Sequence, residues 1–200
     1  MKILAIDVSV KGCSAAFLDS ESSEKLLKYE ETDRGQAERL IPMIGELIEQ
    51  ASLQMSDMDR MAVTRGPGSF TGVRIGLATA RTLGMALSIP VLGFSTLETI
   101  LSSHPDQKNA LAIIDTKRGD FYGQTTNTSS RIYSKGETEA WSGHKIVDAL
   151  PDLLFMANQA ALVKESEFNH YPALPIYLRE AETSTPKEHS TVGNQTERLS

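Results

Sequence analysis

Two aspartates close apolar runs in matching surroundings. Ile3-Leu4-Ala5-Ile6 ends at Asp7 with Gly12 five residues later, and Leu111-Ala112-Ile113-Ile114 ends at Asp115 with Gly119 four later. A carboxylate held at the mouth of a hairpin can organise Mg²⁺ and, through it, phosphates. Gly66-Pro67-Gly68-Ser69-Phe70-Thr71-Gly72 precedes a helical segment, where glycines can turn backbone N–H groups towards an anion. The details weigh against that use. Val73 and Arg74 follow Gly72 where a Walker loop needs Lys-Ser/Thr, and the dinucleotide fingerprint needs its third glycine one residue earlier. Structural use of these glycines is the favoured reading. The four histidines, His104, His144, His170 and His189, are scattered without metal-ligand spacing and read as surface residues. No glycine stands two residues after Ser69, so there is no nucleophile elbow.

The elements that must position these groups follow from periodicity. Ile3–Ile6, Cys13–Leu18 and Glu24–Glu31 read as three strands with short connections, an antiparallel meander that argues against a doubly wound dinucleotide fold. From Gln36 to Ala51, Leu40, Ile41, Ile44, Leu47, Ile48 and Ala51 recur at helical spacing, with Pro42 inside the helix. Such a stripe is either core or a partner surface. Met61–Val63 then leads through the glycine loop into a helix reaching about Ser88, and Pro90 precedes a strand from Val91. Within that helix Gly72, Gly76, Ala80 and Gly84 fall on one face. Three helical glycines cost ~1 kcal/mol each against alanine, which calls for a compensating close approach. Two approaches satisfy it: a partner docking into a groove, or the helix lying close on its own sheet.

Beyond Ser95-Thr96-Leu97-Glu98, a capping-box pattern opening a short helix, the first half is repeated. Ala110–Ile114, Phe121–Thr126 and Arg131–Ser134 read as strands, Lys145–Phe155 as a helix broken at Pro151, and Ala160–Val163 as a short apolar run. A duplicated strand-strand-strand-helix unit would set Asp7 and Asp115 at facing hairpin mouths, as in the actin-like and sugar-kinase-like fold. The expected class is α/β, actin-like (ASKHA, ribonuclease H-like), a duplicated βββαβα fold in two lobes. Residues 1–104 form the N-terminal lobe and 109–180 a reduced C-terminal lobe. Residues 181–200, polar from Glu182 onward, form a tail expected to be disordered.

Composition bounds the function. Two hundred residues with 40% hydrophobic content bury ~70% of their unfolded surface. A net charge of −6 is not that of a chain gripping nucleic acid alone, so a nucleic-acid role calls for a basic partner. Cys13, the single cysteine, fits a reducing compartment and reads as buried and inert. Met1–Ile6 is too short for a signal peptide and no run approaches the ~20 apolar residues of a membrane span, so the expectation is a cytoplasmic protein without membrane contact.

Gly66-Pro67-Gly68-Ser69-Phe70-Thr71-Gly72-Val73-Arg74-Ile75-Gly76 resembles the signature of the TsaB (YeaZ) family of bacterial tRNA threonylcarbamoyladenosine biosynthesis proteins. Asp115-Thr116-Lys117-Arg118-Gly119-Asp120-Phe121-Tyr122 is similar to that family's Asp-Ala-Arg-Arg-Gly-Glu-Val-Tyr stretch, and Pro175–Arg179 to its closing Pro-x-Tyr-Leu-Arg. Asp7-Val8-Ser9 departs from the family's Asp-Thr-Ser, and Gln36-Ala37-Glu38 from His-Ser-Glu. The resemblance covers about residues 1–180 and implies a scaffold that keeps the architecture without the chemistry. Its partners would be the catalytic homologue TsaD and the ATPase TsaE, supporting threonylcarbamoyl transfer to adenosine 37 of tRNAs reading ANN codons. The chain itself would carry no cofactor, ATP and metal belonging to the partner subunits. It would reach tRNA only through the complex and form a homodimer when alone. The partner surface expected from both helices comprises Leu40, Ile44, Leu47, Gly72, Gly76, Ala80 and Gly84. The rival reading is a small-molecule kinase or ATPase of the actin-like fold using Asp7 and Asp115.

Overall fold

The computed structural model describes residues 1–32, 34–107 and 109–179. Its first sheet has the order β3-β2-β1-β4-β5, built from β1 (Lys2–Asp7), β2 (Cys13–Asp19), β3 (Lys25–Glu30), β4 (Arg60–Thr64) and β5 (Val91–Phe94). β1 to β3 form the antiparallel meander, and β4 pairs in parallel with both β1 and β5. β1 and β4 are central, and they are apolar almost throughout because both of their faces are covered.

On one face lie α1 (Gln36–Gln50) and α2 (Phe70–Leu87). Leu40, Met43, Ile44 and Leu47 of α1 and Val73, Leu77 and Ala80 of α2 join Leu4, Ile6, Ala15 and Phe17 of the sheet in one core. The other face, with Ile3, Ala5, Ala16, Ala62 and Leu92, is covered by α5 (Leu153–Leu162) through Leu153, Met156, Ala157 and Ala160. The small side chains on that face let a short apolar helix lie close.

The second sheet repeats the wiring as β8-β7-β6-β9, with β6 (Leu111–Asp115), β7 (Asp120–Thr125), β8 (Arg131–Ser134) and β9 (Lys145–Val147). Again three strands run antiparallel and the fourth lies parallel to the first. α3 (Thr96–Ser102), capped by the Ser95 hydroxyl, packs Leu97 and Ile100 against Ala112, Ile114 and Ile146. The fold is therefore the duplicated βββαβα arrangement of the actin-like class. The second copy is reduced, since α4 (Lys135–Glu139) has five residues where α1 has 15.

Two readings of the second half need correction, and one helix has no counterpart in the sequence analysis. Lys145–Phe155 is not one broken helix: its first residues are β9, and the helix starts at Leu153 behind the Asp152 cap, running on through the apolar run at Ala160. α4 was not expected, although Ser134 and Glu137 form a capping box. Finally, from residue 153 the chain returns to the first sheet, so in packing terms α5 belongs to the N-terminal lobe and not to a lobe spanning 109–180. The tail from Glu182, and His189 with it, lies outside the described residues.

Candidate functional site

Asp7 does not face an open cleft. It is 1% exposed, and its Oδ1 accepts from the Ser9 N–H at 2.9 Å, the Ser9 hydroxyl at 2.5 Å and the Thr64 hydroxyl. Thr96 donates to the Ser9 hydroxyl at 3.0 Å, so β1, β4 and α3 meet in one buried network. Asp7 Oδ2 has no partner among the described residues. Burial pushes the Asp7 carboxyl up, against the bonds from Ser9 and Thr64 that favour its charged form.

A carboxyl raised on folding contributes stability that is complete below the unfolded value of about 4 and is lost as pH rises through the folded value. Asp7→Asn is neutral at every pH. It is expected to raise Tm at pH 7 and to flatten the decline in stability above pH 4, measured by thermal melts across pH. A lower Tm for the variant at pH 7 would mean that Ser9 and Thr64 require the ionised carboxylate.

The glycine loop is packed against this same turn. A Cβ on Gly68 would overlap the Ser9 carbonyl, and one on Gly72 the Val8 carbonyl. The Ser69 N–H donates to the Ser9 carbonyl at 2.7 Å, and the Gly72 N–H to the Ser69 hydroxyl at 3.2 Å. Two N–H groups at the start of α2 are thus satisfied inside the chain. The glycines serve a close backbone approach, as the favoured reading had it.

The small face of α2 turns the same way. Gly72, Gly76, Ala80 and Gly84 are buried, with Val8 and Val63 against Gly76 and Val91 against Gly84. Leu40, Ile44 and Leu47 are buried on α1. All seven residues assigned to a partner surface lie in the chain's own core, because the stripe compensates its glycines by lying on the sheet. The open faces of the two helices carry other residues: Ala37, Ile41 and Gly45 on α1, and Ala78, Thr82 and Met85 on α2. Ile41 is 52% and Met85 79% exposed. A shallow hollow of about 740 Å³ beside Met85, Ile89, Ala173 and Leu174 continues this face.

Asp115 lies elsewhere, in a cleft between the lobes of about 480 Å³ lined also by Val10, Ser69, Phe70, Lys117 and Tyr177. Its Oδ1 accepts from the Lys117 N–H at 2.7 Å and its Oδ2 from the Lys117 ammonium at 3.1 Å, which holds the carboxyl below its usual range. Asp7 and Asp115 share the turn that bonds the residue two further on, yet only Asp115 reaches the cleft, so they do not face each other across it. The closing segment crosses the opening. The Ile176 N–H donates to the Arg65 carbonyl at 2.8 Å and Arg179 pairs with Asp120 of β7. Among the described residues no three His, Cys, Asp or Glu side chains converge as metal ligands. His144 and His170 are exposed, while the His104 ring lies 2.8 Å from the Ile100 carbonyl.

The family model described as TsaD, tRNA N6-adenosine threonylcarbamoyltransferase, matches residues 29–200. The chain is 33% identical over 144 residues to the tRNA threonylcarbamoyladenosine biosynthesis protein TsaB of Escherichia coli (strain K12), an alignment covering 70% of this chain and 62% of that protein. The chain belongs to the TsaB (YeaZ) family. The TsaB of Haemophilus influenzae is 34% identical over 61% of this chain and 52% of its own length. The match therefore spans little more than half the length of these curated relatives. Two solved structures from Pseudomonas aeruginosa are more fully covered. One, described as an uncharacterized protein with similarity to peptidase YEAZ, has a TM-score of 0.72 at 26% identity over 89% of this chain and 99% of that one. The other, YeaZ, has a TM-score of 0.69 at 25% identity over 88% and 99%.

Proposed function

We propose that this chain is a non-catalytic scaffold subunit in tRNA threonylcarbamoyladenosine biosynthesis. In this reading it pairs with a TsaD-type catalytic homologue and acts with a TsaE-type ATPase in modifying adenosine 37 of tRNAs reading ANN codons. The observation that supports the reading is the seating of the Val8–Ser9 turn on Gly68 and Gly72, which gives these glycines a structural use in the chain's own packing. ATP and metal belong to the partners, and Asp7 is a buried structural carboxyl.

Pairing uses the open faces of α1 and α2, where Ile41 and Met85 stand in solvent beside small residues that allow close helix approach. The same face supports a homodimer when the chain is alone. Ile41→Glu with Met85→Glu is expected to weaken pairing with the TsaD-type subunit at least roughly a hundredfold, since two charges would be buried without partners. The stability of the monomer should stay nearly unchanged, because both positions are exposed in it. An unchanged association constant by calorimetry or ultracentrifugation would remove this face from the interface. The isolated chain is expected to show no ATP turnover, and turnover abolished by Asp115→Ala would overturn the scaffold reading.

A further inference from the structure

The mouth of the interlobe cleft combines exposed rings with cations. Phe70 and Tyr177 are 42% and 45% exposed, with ring centroids 5.3 Å apart and planes tilted by 36°. The Arg74 guanidinium carbon lies 3.8 Å over the Phe70 ring, and its Nε donates to the Tyr177 hydroxyl at 3.0 Å. Lys117, Arg118 and Arg179 line the cleft against one lining carboxylate, Asp115. Lys117 and Arg179 are paired with Asp115 and Asp120. The Arg179–Asp120 pair is half-buried, whereas Lys117 is exposed, and an exposed pair such as Lys117–Asp115 is weak enough for a phosphate to share or replace the carboxylate.

The acidic total hides this local balance. The chain has 26 acidic and 20 basic residues, yet Arg74, Lys117, Arg118 and Arg179 gather at this cleft, with Asp115 in its lining and Asp120 beside Arg179. Rings open to solvent beside cations are what a single strand of nucleic acid uses, one stacking its bases and the other meeting its phosphates. A paired duplex offers no base face to such rings.

We propose that the Phe70–Arg74–Tyr177 cluster and the cations of the cleft contact unpaired nucleotides of the tRNA directly. This rests on the tRNA-modification reading and goes beyond it, since there tRNA is reached only through the complex. The occupant is RNA and not an acidic protein segment, because an acidic peptide would use the cations but leave the rings idle.

The test uses the full chain and a fluorescently labelled 12-nucleotide unpaired RNA at low salt, read by anisotropy. Phe70→Ala with Tyr177→Ala is expected to weaken binding by roughly tenfold to a hundredfold, the loss of one or two stacked bases. Arg118→Glu, at an exposed hairpin tip, is expected to weaken binding and to make the salt dependence shallower by about one phosphate contact. Pairing with the TsaD-type subunit is measured on the same samples. Intact pairing without RNA binding overturns this proposal and leaves the scaffold reading standing, whereas lost pairing with RNA binding retained does the reverse. Equal binding of polyglutamate, or full displacement of the RNA by AMP with no gain from strand length, also overturns it.

Discussion

Gly72→Ala is expected to destabilise the chain by about 3 kcal/mol, a fall of roughly 6–12 °C in Tm. The new Cβ would overlap the Val8 carbonyl oxygen, a backbone atom in the turn that follows β1. A side chain could rotate away, but this oxygen cannot. Moving it would disturb Ser9 and the hydrogen bonds of Asp7, and would loosen the contact of the Ser69 N–H with the Ser9 carbonyl. Alanine's better helix propensity offsets ~1 kcal/mol of the cost. Gly45→Ala is the control, because nothing lies within 4 Å of a Cβ at that position in α1. There the same substitution is expected to stabilise by ~0.5–1 kcal/mol. Ala80, fully buried, should follow Gly72: Ala80→Leu is expected to lower Tm before it affects any partner. If Gly72→Ala melted like the parent chain, the turn would not be seated on α2 as described.

The contrast between Gly72 and Gly45 also shows where sequence reasoning stops. The period of Gly72, Gly76, Ala80 and Gly84 was legible, and with it the need for a close neighbour. Its direction was not, because a small face fits a sheet and a foreign helix equally well. The apolar stripe of α1 had the same ambiguity, and here the core took Leu40, Ile44 and Leu47. Ile41 sat within that stripe by spacing but faces solvent, since six apolar positions span more of the helix than the sheet can cover. The first two strands of each meander were legible because short apolar runs and the turn glycines Gly12 and Gly119 agree. β9 was not: three residues with only Ile146 buried are too few to carry a period, and the apolar residues that follow drew the helix reading forward. The twin aspartates were legible as a repeat but not as one buried and one open carboxyl. That difference depends on Thr64 and Thr96, distant in sequence from Asp7.

Arg60 gave no signal as a structural residue, and it carries the other large expected effect. A charged side chain at the first position of a strand reads as a solvated end, yet Arg60 is buried. Its Nη1 donates to the carbonyl of Ala160 and, at 2.8 Å, to that of Val163, while its guanidinium carbon lies 4.6 Å over the Phe168 ring. These carbonyls are at the C-terminal end of α5, where the helix dipole favours a cation and the last acceptors lack helical partners. One side chain of β4 therefore fastens α5 across the first sheet and stacks on the segment beyond it. Arg60→Met keeps much of the apolar stem and removes the donors. Two buried acceptors then lose their partner at about 1–3 kcal/mol each. Relief from burying the charge, whose Nε has no partner among the described residues, offsets part of that. The net expectation is about 3 kcal/mol, or a Tm lower by roughly 6–12 °C, with amide exchange rising first in α5. Exchange that rose evenly over both lobes, or a Tm within a degree of the parent, would show that Leu153, Met156 and Ala160 hold the helix by packing alone.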